Sequence, residues 1–220
     1  MKSLSFLKKN KGFIFFVFVF ISFRWSLADQ YYVPTGSMEP TIHVGDLILT
    51  HKSAYDLKIP FTPFVVKKMA DPQRGEIVVF YNQKENLTMV KRLIGMPGDH
   101  IEIRDGFVAI NGIPFEGSAD GLLKIEDPFL EEIFYQEKIG NSLATIKRLP
   151  HRINGTEMDF IVPEGKYFMM GDNRDNSLDS RSWGFIERKD IKGRAFAVLY
   201  NISIDGGLYS EFDRVGKRLN

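Results

Sequence analysis

The sequence predicts a mainly β protein with antiparallel hairpins, preceded by one apolar helical segment. Three observations carry that reading. After residue 29, short apolar runs of strand length alternate with strong turn pairs, notably Asp105-Gly106 and Asn111-Gly112. Nothing in that stretch keeps a long 3.6-residue apolar period. Before it, a basic flank leads into an unbroken uncharged run.

The leader carries Lys2, Lys8, Lys9, Lys11 and Arg24, with no acid before Asp29. From Gly12 to Phe23 no residue is charged, and six of those residues are phenylalanine. These residues make roughly 18 Å of helix, and continuing to Ala28 gives roughly 26 Å, against a hydrocarbon core of about 30 Å. The expectation is a cytoplasmic basic leader over 1–11 and a single-pass transmembrane signal anchor over 12–28. Lysines before the run place the N-terminus inside and residues 29–220 outside. Ser26-Leu27-Ala28 also has the small-x-small form of a cleavage site, so removal is the competing reading. Arg24, lying between the apolar run and that cut, favours retention.

The body reads as strands at Gly75–Phe80, Thr88–Ile94, Ile101–Ile103, Phe107–Ile110, Ile113–Phe115, Tyr167–Met170 and Ala195–Ile204. Asp-Gly and Asn-Gly fit type I′ turns, which need positive φ at both central residues. Residues 116–160 are more charged and less clearly patterned. They are expected to form a smaller inserted lobe, with 29–115 and 161–220 as the β-rich core.

Composition narrows the chemistry. With no cysteine, the 220-residue chain has neither disulfides nor a thiol nucleophile. Lys+Arg 29 against Asp+Glu 28 gives a formal +1, which argues against a nucleic-acid partner. That balance conceals two unlike parts, because five basic residues lie before residue 29; the remainder has 24 basic against 28 acidic residues, a formal −4. His43, His51, His100 and His151 lack ligand spacing, and no phosphate-binding glycine loop occurs. Asp175, Ser177 and Asp179 begin like a calcium loop, but Ser180 stands where glycine is needed and Glu187 falls one place late. No cofactor and no metal are expected.

Three segments remain. Pro34-Thr35-Gly36-Ser37-Met38-Glu39-Pro40-Thr41 places a serine on a constrained turn, although a plain juxtamembrane turn has the same composition. Lys91 follows Thr88-Met89-Val90 in an apolar strand, where a charged lysine is costly; it either reaches out to solvent or loses its proton. Gly171-Asp172-Asn173-Arg174-Asp175-Asn176-Ser177-Leu178-Asp179-Ser180-Arg181 reads as a loop fixed by its own ion pairs, or as an Asx-rich surface loop.

In this order, and with Arg74–Phe80 and Lys91-Arg92 through Pro97-Gly98-Asp99, these segments resemble the boxes of the type I signal peptidases, membrane-anchored Ser–Lys endopeptidases of bacteria. The resemblance covers about residues 12–200, apart from 116–160. It implies a signal-peptidase-like antiparallel β-sheet core. It implies Ser37 as nucleophile and Lys91 as general base, with the Ser37 N–H and the Thr35 hydroxyl forming an oxyanion hole. Thr35 departs from the commoner serine; it keeps the donor but restricts χ1. Ser177 resembles the hydroxyl that orients the lysine, and Asp179 and Arg181 resemble a structural ion pair. A neutral Lys91 would need its pKa lowered from about 10.4 toward roughly 7–8. Met38 and Met89 are candidate walls of the substrate pocket. The implied partners are exported preproteins, bound through their signal peptides, and membrane lipid, at the bacterial inner membrane. Two alternatives stay open: a specialised Ser–Lys processing peptidase of a secretion or conjugation system, and an inactive anchored peptide-binding β-domain.

Overall fold

The computed structural model describes residues 10–62, 64–117, 132–149, 157–201 and 214–219. The leader up to residue 9 and the Ile202–Ile204 end of the last expected strand lie outside them. A helix, α1 (Lys11–Leu27), runs directly into β1 (Ala28–Tyr32). The expected anchor is therefore one residue out of step at each end, since Ala28 is already extended. Among the described residues no helix is long and apolar enough to cross a membrane.

After β1 come β2 (Asp46–His51), β3 (Asp56–Lys58), β4 (Val65–Lys68), β5 (Ile77–Asn82) and β6 (Leu87–Gly95). Next are β7 (His100–Arg104), β8 (Phe107–Ile110), β9 (Ile113–Pro114), β10 (Ile133–Ile139) and β11 (Ser142–Arg148). The chain continues through β12 (Met158–Ile161), β13 (Lys166–Met170), a one-turn α2 (Ser180–Trp183), β14 (Ile186–Glu187) and β15 (Ile191–Asn201).

Seven strands form the main sheet in the order β1-β2-β15-β5-β6-β13-β14, every pairing antiparallel. Strand β5 is a continuous apolar run because both of its faces are covered. Ile77 and Val79 join a cluster with Val33, Met38, Ile42 and Ile48, while Val78 and Phe80 join Tyr55, Leu93, Met169 and Trp183. A second sheet, β12-β7-β8-β9, and the β10–β11 hairpin share a third cluster containing Ile101, Ile103, Tyr135 and Ile146. The β7–β8 and β8–β9 connections are the anticipated two-residue loops. Asp105 and Gly106, like Asn111 and Gly112, all have positive φ.

Candidate active site

Ser37 sits in a single 3₁₀ turn, Gly36–Met38, just beyond the end of β1. Lys91 lies in β6 opposite Val78. Both are buried, at 9% and 4% exposure, and Lys91 Nζ is hydrogen-bonded to Ser37 Oγ at 2.6 Å. Lys91 Nζ also donates to the Val90 carbonyl, at 3.2 Å. Burial pushes the Lys91 pKa down to about 8; Asp179 and Asp172 pull it back up, and Arg181 pushes it further down.

The loop Gly171–Arg181 holds the serine turn in place. Asn173 donates its backbone N–H to the Ser37 carbonyl at 3.2 Å and its Nδ2 to the Gly36 carbonyl at 3.0 Å. Thr41 Oγ1 donates to Asp172 Oδ2 at 2.5 Å. Glycine is required at 171, because a Cβ there would stand 2.3 Å from the Ser37 carbonyl oxygen. Asp172 forms a forked pair with Arg92, at 2.8 and 2.7 Å, both residues being fully buried. The strand neighbour of Lys91 thus ties β6 to the loop.

The loop's ion pairs are mostly not its own, contrary to the sequence expectation. Asp179 and Arg181 do pair within it at 2.7 Å, and Asp179 also accepts the Gly171 N–H at 3.0 Å. Arg174, however, pairs with Glu137 of β10 in a fully buried contact, and Asp175 accepts from Arg148 of β11 at 2.7 Å. The Lys147 N–H donates to the Asp172 carbonyl at 2.9 Å. Within 116–160, the β10–β11 hairpin is therefore fastened to the Gly171–Arg181 loop, while Met158–Phe160 belong to the second sheet. Arg92, Asp172, Asn173, Arg174 and Glu137 escaped sequence reading as members of one network, since their partners lie 37 to 137 positions away in the chain.

A cavity of about 750 Å³ opens beside Ser37 and Lys91 and includes Thr35, Met89, Ser177 and Leu178 in its wall. It runs between two strand edges that are unpaired among the described residues. One is β1, which ends the sheet; the other is the first half of β6, since β13 pairs only with Arg92, Leu93 and Gly95. The Thr35 side chain makes no capping hydrogen bond. Ser177 Oγ is buried without a hydrogen-bond partner among the described residues, so the expected bond to Lys91 is not formed. Met38 is corrected: it is fully buried in the core and does not line the cavity, because the 3₁₀ turn directs it inward as Ser37 faces Lys91.

Residues 7–200 match the family model described as signal peptidase, peptidase S26. The chain belongs to that family. It is 37% identical over 203 residues to signal peptidase I of Pseudomonas aeruginosa, covering 86% of this chain and 70% of that protein. Identity to signal peptidase I of Pseudomonas fluorescens is 38% with the same coverage. A crystal structure of a signal peptidase I from Enterococcus faecalis is 30% identical, with 58% of this chain and 98% of that one covered at a TM-score of 0.38. Membership makes the chain a serine endopeptidase of signal peptides.

Proposed function

We propose that this chain cleaves exported preproteins by attack of Ser37 Oγ on the scissile carbonyl, with Lys91 as the general base. The 2.6 Å contact between Nζ and Oγ inside the cavity is the observation that carries the reading. Neutral Lys91 takes the hydroxyl proton as Oγ bonds to the carbonyl carbon, then returns it to the leaving amine. The Ser37 N–H and Thr35 Oγ1 donate to the oxyanion. Water then attacks the acyl carbon as Lys91 takes its proton; the bond to Ser37 Oγ breaks, Lys91 returns the proton to Oγ, and the new carboxylate leaves. Ser177 Oγ, buried and unpartnered in the same wall, orients the lysine once peptide closes the site. Asp179 and Arg181 keep the loop in shape rather than touching the reacting atoms. The substrate lies extended, adding a strand to the edges of β1 and β6, with Met89 in the pocket wall.

Helix α1 is the bilayer anchor in this reading. From Gly12 to Phe23 it carries no charged residue, and Phe13, Phe15, Phe16, Phe18 and Phe20 stand exposed, as on a helix that lipid covers. Its 17 residues give about 26 Å, a shortfall that local bilayer thinning accommodates. The catalytic body then lies on the extracytoplasmic side, with 116–160 as an inserted lobe.

The test is preprotein cleavage by wild type, Ser37→Ala and Lys91→Ala. Both variants should lose cleavage; turnover retained in either removes the dyad. An inactive peptide-binding domain would show none in the wild type.

A further inference from the structure

The cavity beside Ser37 and Lys91 has a largely apolar lining that includes Val33, Ile48, Val79 and Val90. At its end away from the serine stands a cation. Lys192 of β15 donates to Thr88 Oγ1 of β6 at 2.8 Å. Its Nζ also lies 6.0 Å from the centre of the Tyr31 ring on β1 and 5.6 Å from that of Tyr81 on β5. Tyr31 and Thr88 both belong to the cavity wall. One ammonium therefore reaches residues of both edges between which the proposed substrate lies.

Among the described residues, the charge on Lys192 is incompletely answered. Its hydrogen bond goes to a neutral hydroxyl, and the two tyrosines offer their ring faces. Burial pushes the Lys192 pKa down; Asp29 pulls it back up, and Lys52 and Lys58 push it further down. Asp29 is itself paired with Lys52 at 3.5 Å and accepts the Tyr31 hydroxyl at 3.3 Å. This end of the cavity thus carries a positive potential inside low-dielectric walls, which strengthens its pull on a negative group.

A particular part of the substrate reaches that end. Strands β1 and β6 both run from it toward the reacting pair, so that Ser37 follows Tyr31 by six residues and Lys91 follows Thr88 by three. The second interval is about 10 Å of strand. Because β1 leaves α1 at Ala28, this is also the end nearer the bilayer when α1 is the anchor. The apolar segment of a signal peptide comes from the same bilayer, so the residues joining it to the cut pass Lys192 on the way to Ser37.

We propose that Lys192 is a specificity-determining residue that reads charge on the signal-peptide side of the cut. An acidic side chain four or five residues before the scissile bond is accepted against its ammonium, and a lysine or arginine there is refused. Tyr31, Tyr81 and Thr88 hold the ammonium in place. The inference rests on the Ser37–Lys91 reading and on α1 as the anchor, and its test separates failure of the inference from failure of the dyad.

The full chain in an uncharged detergent is given synthetic signal-peptide substrates that differ only in carrying Glu, Gln or Lys at one position. The positions scanned run from six residues before the cut to two after it. At the fourth or fifth before the cut, kcat/KM should be about tenfold higher for Glu than for Lys, with Gln between, and added salt should shrink the ratio. Lys192→Met should bring the two rates within about twofold of each other, and Lys192→Glu should invert their order. Each ratio is taken within one protein, so a lower overall activity in a variant leaves it readable, and the wild-type scan needs no variant. A wild type indifferent to charge at these positions overturns the inference and leaves the dyad standing. So does a preference that survives Lys192→Met, or one confined to residues after the cut. A wild type that cleaves none of the peptides overturns the dyad and the inference with it.

Discussion

The loop Gly171–Arg181 and the β3–β4 ribbon invert one another. In the loop, charges are inside: Arg174, Asp172 and Asp179 are almost wholly buried, and each has an opposite charge against it. On the ribbon, large apolar side chains are outside, with charge behind them. Neither arrangement serves folding economy, since a buried ion pair recovers little beyond its own desolvation and an exposed apolar strand recovers nothing in water. The loop's charges fix where a serine and a lysine meet. The ribbon's apolar side chains stand outside that network, open to solvent.

The largest expected effect falls on the pair that the loop positions. Ser37→Ala or Lys91→Ala should lower kcat by at least about 10³-fold, with the double variant little worse than either single one, as for residues acting as one unit. Steady-state cleavage of a preprotein measures this. Breaking the loop's link to the hairpin comes next. Glu137→Leu leaves Arg174 buried without its partner and should cost about 3–5 kcal/mol in urea unfolding. Glu137→Leu with Arg174→Met should recover much of that stability and still cleave slowly if the pair serves positioning. Thr35→Ala should lower kcat by about 10²–10³-fold with KM nearly unchanged, while Thr35→Ser stays close to wild type.

The lysine contributes an effect of the same order but opposite sign. Its folded pKa of about 8 lies below the ordinary 10.5, so its burial weakens the fold fully below pH 8 and not at all once both states are neutral. Lys91→Met should therefore be stabilising at pH 7, by up to about 3 kcal/mol, with the gain fading toward pH 11. For the same reason kcat/KM should rise with pH and level off above about 8. The smallest effect belongs to the ribbon: Phe64→Glu with Val66→Glu should change unfolding free energy by no more than about 0.5 kcal/mol. A large loss there would make the ribbon part of the core and end the contrast.

Legibility in the sequence followed the range of the interactions. Hairpins closed by two residues were readable, because Asp105-Gly106 and Asn111-Gly112 specify their own turn. The β10–β11 hairpin carried a weaker cue, Gly140-Asn141, inside a charged stretch, and so read only as part of a lobe. The ribbon was hidden by Pro60 and Pro63, which argue against a strand. Ser37, Lys91 and the Asp179–Arg181 pair were visible as motif residues. Arg92–Asp172 and Arg174–Glu137 were not, since only the folded sheet brings residues 37 to 80 positions apart together. Met38 misled because adjacency to a nucleophile says nothing about which way a 3₁₀ turn points a side chain.

The two unpaired edges that border the cavity have one further consequence. A segment that hydrogen-bonds to β1 and β6 together spends its own backbone donors and acceptors on them, and none remain for bonds to its own neighbours four residues on. Signal peptides that arrive as helices must therefore unwind around the scissile bond before the serine can reach it. Selectivity then depends on the cost of melting about one helical turn, as well as on the size of the side chains admitted. Glycine or proline just upstream of the cut lowers that cost, and a well-formed helix passing the same groove is spared.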